Sequence, residues 1–486
     1  MNLRKNILFL LVDQWPSDAF SHRGAAIKTP NMDRLTSEST NFINAFTTCP
    51  LCSPARSVLL TGRWNTQTGL EDNMGVGYST QEPLKQTEET WVDGAVAAGY
   101  HVGYYGKWHL GPNGPIIRGA KKHFDDIEPH SKPYMVGKSD YNYEACKMNY
   151  KKRADALLKS NHHFYGDTRM SIEETLPYKI AEKGCAFIRE YAQGDKEQPF
   201  MLTVSVNDPH FPHYLPKEFI DKIKEFPVTL PENLRDDFQD KPWFHNVPWW
   251  PSMDTSTLTQ EDWLEVIRYA GMHRMLVDQA LGRVLNTLDE TGLSDETIVI
   301  FTSDHGDMCG AHNRFDKGPY YYDEVFRVPL MIKMPQEKPA IQKGYVSLID
   351  LGKTLFDMMN HETKKPMFGR NIMSLIGKEE PPHDWQNMVY GMYEKYNGMR
   401  FIIRAIRSER FKYVYNPQDK DEFYDLDMDP YELHNKATDE AYTEEKTYLQ
   451  RQLIDWMKAI DDPMLQETLL SIPQAGWIDV LEKPGP

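Results

Sequence analysis

A large, mainly parallel α/β sheet flanked by helices, followed by a smaller α+β domain, is the fold this sequence predicts. Three observations carry the prediction: continuous apolar runs ending in chemically capable residues, amphipathic helical patterns between them, and a change of texture near residue 377. The first run, Ile7 to Val12, has no polar alternation, as expected of a strand buried on both faces of a parallel sheet, and it stops at Asp13. Similar runs recur at Phe200 to Val206 and at Thr297 to Phe301. Between the last two, Arg268 to Leu288 places Met272, Met275, Leu276, Leu281, Val284, Leu285 and Leu288 on one helical face. Strands alternating with helices imply an α/β sheet, and ligands of such sheets bind beyond the carboxyl ends of the strands. Asp13, Asn207 to His210 and Asp304-His305 occupy that position.

Residues 1–376 are therefore read as the catalytic domain and 377–486 as a smaller C-terminal domain of antiparallel strands and a helix. Lys378-Glu379-Glu380-Pro381-Pro382 reads as a linker. Met388 to Met392, Ile402 to Ile406 and Phe411 to Tyr415 read as strands, and Thr443 to Ile460 as one amphipathic helix.

The bulk numbers narrow the classes of function. A chain of 486 residues that is 40% hydrophobic and 12% aromatic is globular. A net charge of −16 argues against nucleic acid as a partner, because phosphate contacts need a basic face. It leaves room for a local cationic pocket and a small anionic substrate. Five cysteines are too few for a disulfide framework, and an odd number leaves at least one thiol free. No apolar stretch approaches the roughly 20 residues that span a bilayer, so no membrane partner is expected. The six-residue run after Arg4-Lys5 lacks a cleavage site, so the expected location is the cytoplasm, or the periplasm or exterior if a leader has been removed.

The pentapeptide Cys52-Ser53-Pro54-Ala55-Arg56 points to chemistry. Pro54 suits a first helical turn, which would put Cys52 at a helix N-terminus where backbone N–H groups favour an anion. Arg56, four residues on, shares its face. Hydrolysis of a sulfate ester asks for cations, a strong nucleophile and an acid, because the ester oxygens repel attack and the alkoxide leaves poorly. Asp13 and Asp304 can supply oxygen ligands to a hard divalent cation, with Gln14 and His305 completing the shell.

The segments Val12-Asp13-Gln14, Cys52 to Arg56, Tyr105 to Gly111, Asp208-Pro209-His210-Phe211-Pro212 and Thr302 to Gly306 occur in the order and approximate spacing of the type I sulfatases. These belong to the alkaline-phosphatase-like superfamily. The resemblance continues through Gly310-Ala311-His312 to Lys317 and reappears at Arg410 to Tyr413 and Phe423 to Leu433. It implies that a maturation enzyme oxidises Cys52 to formylglycine, whose hydrated aldehyde attacks sulfur and then expels sulfate. It also implies one divalent cation, calcium first, held by Asp13, Gln14, Asp304, His305 and residue 52. By the same matching, Lys107 and Lys317 would bind sulfate oxygens, His109 would take the proton of the diol, and His210 would protonate the leaving oxygen. His213 is a second candidate for that proton, and Asn73 and His312 are candidates for substrate binding.

Gln14 stands where many sulfatases carry an aspartate, and the Asp-Gln pair resembles the choline-sulfatase and phosphonate monoester hydrolase branch. A neutral amide lowers the negative charge of the site, so magnesium or manganese competes with calcium. The expected function is hydrolysis of a small-molecule sulfate monoester, a sulfated saccharide or another small organic sulfate. The alternatives are a phosphonate or phosphate diester hydrolase with the same nucleophile, and an inactive binding protein on the same fold. A cluster of basic residues from Arg118 to His163, Lys151-Lys152-Arg153 among them, is a candidate for attracting a substrate with additional negative charge.

Overall fold

The structure, a computed structural model, describes residues 5–112, 114–120, 122–124, 164–168, 170–216, 218–219, 226–247 and 255–471. Its frame is an eight-stranded sheet ordered Ala340–Gln342, Thr40–Phe42, Leu330–Lys333, Thr297–Ser303, Asn6–Val12, Phe200–Ser205, His101–Gly106 and Lys122–Phe124. Leu330–Lys333 runs antiparallel to both neighbours, and every other pairing in the sheet is parallel. All three strands expected from apolar runs are present. The central one pairs Leu10 with Val204 on one side and with Phe301 on the other.

Alternation along that strand builds two cores. Leu8, Leu10 and Val12 pack with residues of the helices Leu176–Gln193 and Gln260–Glu290. Ile7, Phe9 and Leu11 face the opposite layer, where Cys52–Thr61, Trp91–Ala97 and Leu348–Met358 pack. The sequence pattern from Arg268 to Leu288 marks part of the longest of these helices, which begins at a Thr259 cap whose hydroxyl accepts from the Asp262 N–H. Helix Cys52–Thr61 ends at Gly62, in the left-handed region at φ 65°. Helix Leu348–Met358 can approach it closely because residue 352 is glycine: a Cβ there would lie 2.5 Å from the Leu59 carbonyl oxygen.

The C-terminal sheet orders Val389–Tyr396, Met399–Arg407, Phe411–Tyr415 and Glu422–Asp425 as an antiparallel meander. Helix Thr443–Ala459 packs on it through Leu449, Leu453, Ile454 and Met457. Glu422–Asp425 is a strand that periodicity did not reveal, since it is four residues long and acidic at both ends. The stretch expected as a linker is tied to the large sheet: Lys343 N–H donates to the Glu379 carbonyl and Gln342 Nε2 to that of Lys378.

Arg404 fastens this sheet to the chain beyond its helix. It is fully buried, its Nε and Nη2 lie 2.6 and 2.9 Å from the two Asp462 carboxylate oxygens, and Nη2 also meets Glu394. Removing one partner of such a pair strands the other charge in a low-dielectric interior. Arg404→Met is therefore expected to lower stability by about 3–5 kcal/mol, read as a fall in the urea midpoint at unchanged slope.

Among the described residues, no helix is long and apolar enough to cross a membrane. Cys49, Cys52, Cys185 and Cys309 are free. Of the basic cluster, Arg118 is buried, with Nη1 against Asp93 and the Glu88 carbonyl; residues 125–163, which carry most of that charge, lie outside the described residues.

Candidate active site

The carboxyl edge of the sheet gathers the chemistry. Asp13 follows Val12, Lys107 follows Gly106, Asp304 follows Ser303, and Asn207 to His210 follow the strand Phe200–Ser205. Cys52 is the first residue of its helix, after an extended Leu51. One ligand atom from each of Asp13, Cys52, Asp304 and His305 lies within 4.8 Å of the others, and all four residues are buried. The Cys52 thiol is 3.7 Å from Asp13 Oδ1 and 3.3 Å from His305 Nε2.

The tautomer of His305 follows from its other partner. Its Nδ1 lies 2.7 Å from the Gly306 carbonyl, which can only accept, so Nδ1 carries the proton and Nε2 turns a lone pair toward the cluster. Burial and the nearby Lys317 lower the His305 pKa, against the pull of Asp304 and Asp13. Two carboxylates and a neutral imidazole form a donor set that fits a hard divalent cation. Gln14 borders it in the left-handed backbone region, φ 64°, a conformation that costs a non-glycine residue about 1–3 kcal/mol. Its Oε1 accepts from Lys317 Nζ at 3.2 Å and its Nε2 donates to Asp307 Oδ1 at 3.2 Å.

Three cations ring the cluster. Lys107 Nζ meets Asp13 Oδ2 directly. Arg56, completely buried, donates from Nε to Asp304 Oδ2 at 2.7 Å and from Nη1 to the Lys107 carbonyl and Ser205 Oγ at 3.0 and 2.9 Å. Its Nη2 lies 3.8 Å from Asp13 Oδ2 with no hydrogen-bond partner among the described residues. Lys317 Nζ lies 2.9 Å from Asp316 Oδ1 and 3.0 Å from His210 Nε2. Burial alone would raise the Asp13 pKa, but Lys107, then His210, His305 and Arg56, hold it well below the usual carboxylate range. Burial, reinforced by Asp13, pushes the Cys52 thiol up to about 11. Burial and Lys317 hold His210 well below the usual imidazole range.

His210 borders this centre, and His109 follows two residues after Lys107. His210 Nδ1 lies 2.6 Å from the Phe211 carbonyl, so Nε2 is the nitrogen left to face Lys317. His109, also left-handed at φ 59°, places Nε2 3.2 Å from the Met74 carbonyl. Asn73 lies beside helix Cys52–Thr61 and its Oδ1 accepts from the Ser53 N–H at 2.9 Å, which satisfies one of the unpaired donors of that helix.

Two sequence candidates do not join the cluster. His312 is fully buried with both ring nitrogens engaged, Nδ1 by Asp236 at 2.6 Å and Nε2 by Asn233 at 2.9 Å, and it stacks on Tyr322 at 3.7 Å. It holds the loop that carries Asn233 and Asp236, and no ring nitrogen remains for a substrate. His213 begins the strand His213–Pro216 and turns into the interior, with Nδ1 3.2 Å from His273 Nδ1. The three-residue spacing from His210 carried no helical proximity, because the chain from Asp208 to Pro212 is a turn followed by bends.

The structure also brings in residues that the sequence did not single out. Asp307 and Arg274, 3.1 Å apart, fix Gln14, and Asp316 holds Lys317. From the C-terminal sheet, the Tyr393 hydroxyl lies 2.8 Å from both the Pro50 and Gly318 carbonyls, and the Tyr396 hydroxyl donates to the Lys317 carbonyl at 3.0 Å. Asp72 accepts from the Asn397 and Gly398 N–H groups at 3.2 and 2.7 Å, so the hairpin tip is bound to the segment that follows helix Cys52–Thr61. Asp307, three residues after Asp304 and in the same turn, was the one candidate that spacing could have offered.

A parallel α/β sheet with an acidic cation cluster, a helix-borne Cys-x-Pro-x-Arg and converging lysines and histidines defines a hydrolase of anionic esters. The chain belongs to the sulfatase family, whose model matches residues 5–361, and is thus a hydrolase of sulfate esters; residues 310–459 match a model described as N-sulphoglucosamine sulphohydrolase, C-terminal. An uncharacterized sulfatase of Escherichia coli strain K12 is 29% identical over 469 residues, 95% of this chain and 88% of that one. An ulvan-active sulfatase of Formosa agariphila is 27% identical over 442 residues, 89% and 77% of the two chains. A phosphonate monoester hydrolase structure from Silicibacter pomeroyi shares the fold, with a TM-score of 0.75 at 19% identity, covering 95% of this chain and 96% of that one.

Proposed function

We propose that this enzyme hydrolyses the sulfate monoester of a small molecule, a sulfated saccharide or a similar organic alcohol, with residue 52 as a formylglycine nucleophile and one divalent cation. The observation that carries this reading is the buried set Asp13, Cys52, Asp304 and His305, ringed by Arg56, Lys107 and Lys317. The cation would be held by Asp13, Gln14, Asp304, His305 and residue 52, with calcium first and magnesium or manganese as the other occupants that an amide at position 14 admits. When bound, it supplies Lewis-acid charge to anionic oxygens in the site.

The protein's own groups divide the remaining work. Lys107 and Lys317 bind and neutralise sulfate oxygens, which otherwise repel the nucleophile. Arg56 aims the Asp304 carboxylate, and its Nη2, 3.8 Å from Asp13 Oδ2, adds positive charge to the cluster. Residue 52, after oxidation by a maturation enzyme and hydration, attacks sulfur with one hydroxyl. His210 gives the departing alcohol oxygen a proton from Nε2; because the neutral ring keeps its proton on Nδ1, against the Phe211 carbonyl, and accepts from Lys317 at Nε2, this role requires the imidazolium, which takes up a second proton at Nε2 beside the bound anionic ester. His109 then takes the proton of the second hydroxyl, the aldehyde reforms and sulfate leaves.

The saccharide side of the proposal is supported by the sugar named in the C-terminal family match and by the ulvan-active relative. The second reading, a phosphonate monoester hydrolase, is favoured by Gln14 and opposed by Lys107 and His109. For matched leaving groups, kcat/KM for sulfate monoesters is expected to exceed that for phosphonate monoesters. The reverse ranking would put the second reading first, and turnover of neither by matured protein would leave the inactive binding protein.

A further inference from the structure

Behind His210 lies a buried chain of hydrogen bonds to which the steps above assign no task. Asp208 Oδ1 lies 2.6 Å from His273 Nε2, and His273 Nδ1 lies 3.2 Å from His213 Nδ1. A carboxylate only accepts, so His273 Nε2 carries the proton; its Nδ1 is then the acceptor, and His213 Nδ1 is the donor. The chain runs in one direction, from His213 through His273 to Asp208. His273 is 2% exposed and His213 fully buried, whereas the Asp208 side chain keeps 17% of its surface. Asp208, His210, Phe211 and His273 line one cavity, together with Asn207 and Leu276.

We propose that His273 is a positioning residue for the leaving-group acid His210; this rests on the sulfatase reading above. His273 projects from the 31-residue helix Gln260–Glu290, packed by Met272, Leu276 and Val277 into the core beneath the sheet. His210 stands on a short turn rather than on a helix: its backbone N–H donates to the Asn207 carbonyl at 3.3 Å, its Nδ1 bonds the next residue's carbonyl and its ring stacks on Phe211 at 4.7 Å, while Nε2 meets Lys317 Nζ at 3.0 Å. The Asp208–His273 bond ties that turn to the helix two residues from His210. A catalytic acid must sit within hydrogen-bond reach of the oxygen it protonates, and an ångström of displacement is costly. His273 thus sets where His210 Nε2 points without touching the substrate.

Leaving-group chemistry separates positioning from general support of the fold. A nitrophenolate leaves without a proton, whereas a sugar or alkyl alkoxide needs one in the transition state. His273→Leu removes the donor to Asp208 at nearly constant apolar volume, and His273→Gln can restore a donor through its amide. Each variant is compared with the wild-type protein on an alkyl sulfate and on 4-nitrophenyl sulfate, with rates normalised to formylglycine content by peptide mass spectrometry. His273→Leu is expected to lower kcat/KM about 10²-fold for the alkyl ester and no more than about threefold for the nitrophenyl ester, with His273→Gln recovering most of the difference. Equal losses on the two esters in His273→Leu would overturn the proposal, as would no loss at all in that variant, or a His273→Gln variant as selectively impaired on the alkyl ester as His273→Leu. Wild-type matured protein that turns over neither ester would overturn the sulfatase reading and this inference with it, a result distinct from equal losses in an active enzyme.

Discussion

Cys52→Ala is expected to abolish turnover, by at least about 10³-fold in kcat, while leaving the protein folded. The expectation follows from where the sulfur sits. It projects from the first residue of a helix onto Asp13 and His305, and no other described cysteine touches these groups. The side chain is small and the adjoining helix is held independently by the Arg56–Asp304 pair and by Asn73, so truncation should cost little stability. Cys49→Ala is the control. Cys49 is also buried, but it packs among Phe46, Tyr321, Phe326 and Tyr393, so the loss of its sulfur should appear as about 1–2 kcal/mol of stability rather than as lost turnover. Peptide mass spectrometry on active wild-type protein should find formylglycine at residue 52. Full activity from protein carrying only the thiol there would refute the proposed nucleophile.

The parts of this architecture legible in the sequence are those that local rules control. A strand buried on both faces must be largely apolar, so Ile7 to Val12, Phe200 to Val206 and Thr297 to Phe301 announced themselves, and Asp13, Asn207 and Asp304 just beyond them fell at the edge where ligands bind. The Cys52 helix was legible because Pro54 is tolerated only in a first turn. What stayed hidden depends on contacts between distant residues. Tyr393 and Tyr396 look like ordinary strand aromatics, and only the folded hairpin shows their hydroxyls against Pro50, Gly318 and Lys317. His312 lay in the right motif, but a left-handed backbone, φ 53°, turns its ring toward Asp236. The short strands at Leu330–Lys333 and Glu422–Asp425 are too brief to show a period.

These long-range contacts bear on the site's rigidity. The nucleophile segment, the Lys317 loop and the Asn73 segment are each held by the tip or strand of the hairpin Val389–Arg407. A centre that depends on fixed charges gains nothing from groups that must reorganise, so the C-terminal sheet belongs to the catalytic apparatus as a brace.

In the proposed function Asp304 binds the cation in addition to making its structural bonds, and its variants should separate the two. Oδ2 accepts from Arg56 Nε, while Oδ1 accepts from the Gln14 and His305 N–H groups at 3.3 and 3.0 Å. Asp304→Ala removes both acceptor oxygens, and with them three hydrogen bonds, and leaves a fully buried guanidinium without its nearest carboxylate, a loss of about 3–5 kcal/mol. Reduced activity in that variant alone would therefore say little about a cation. Asp304→Asn keeps the shape and one acceptor oxygen, while it drops the charge and turns the other oxygen into an NH2 donor. It should fold with a much smaller loss of stability in urea, lose the bound divalent cation by elemental analysis, and turn over its substrate at least about 10²-fold more slowly. Full cation occupancy in folded Asp304→Asn, or activity that survives complete removal of the cation by a chelator, would show that Asp13, Gln14, Asp304 and His305 are held together by their hydrogen bonds and ion pairs and not for a metal.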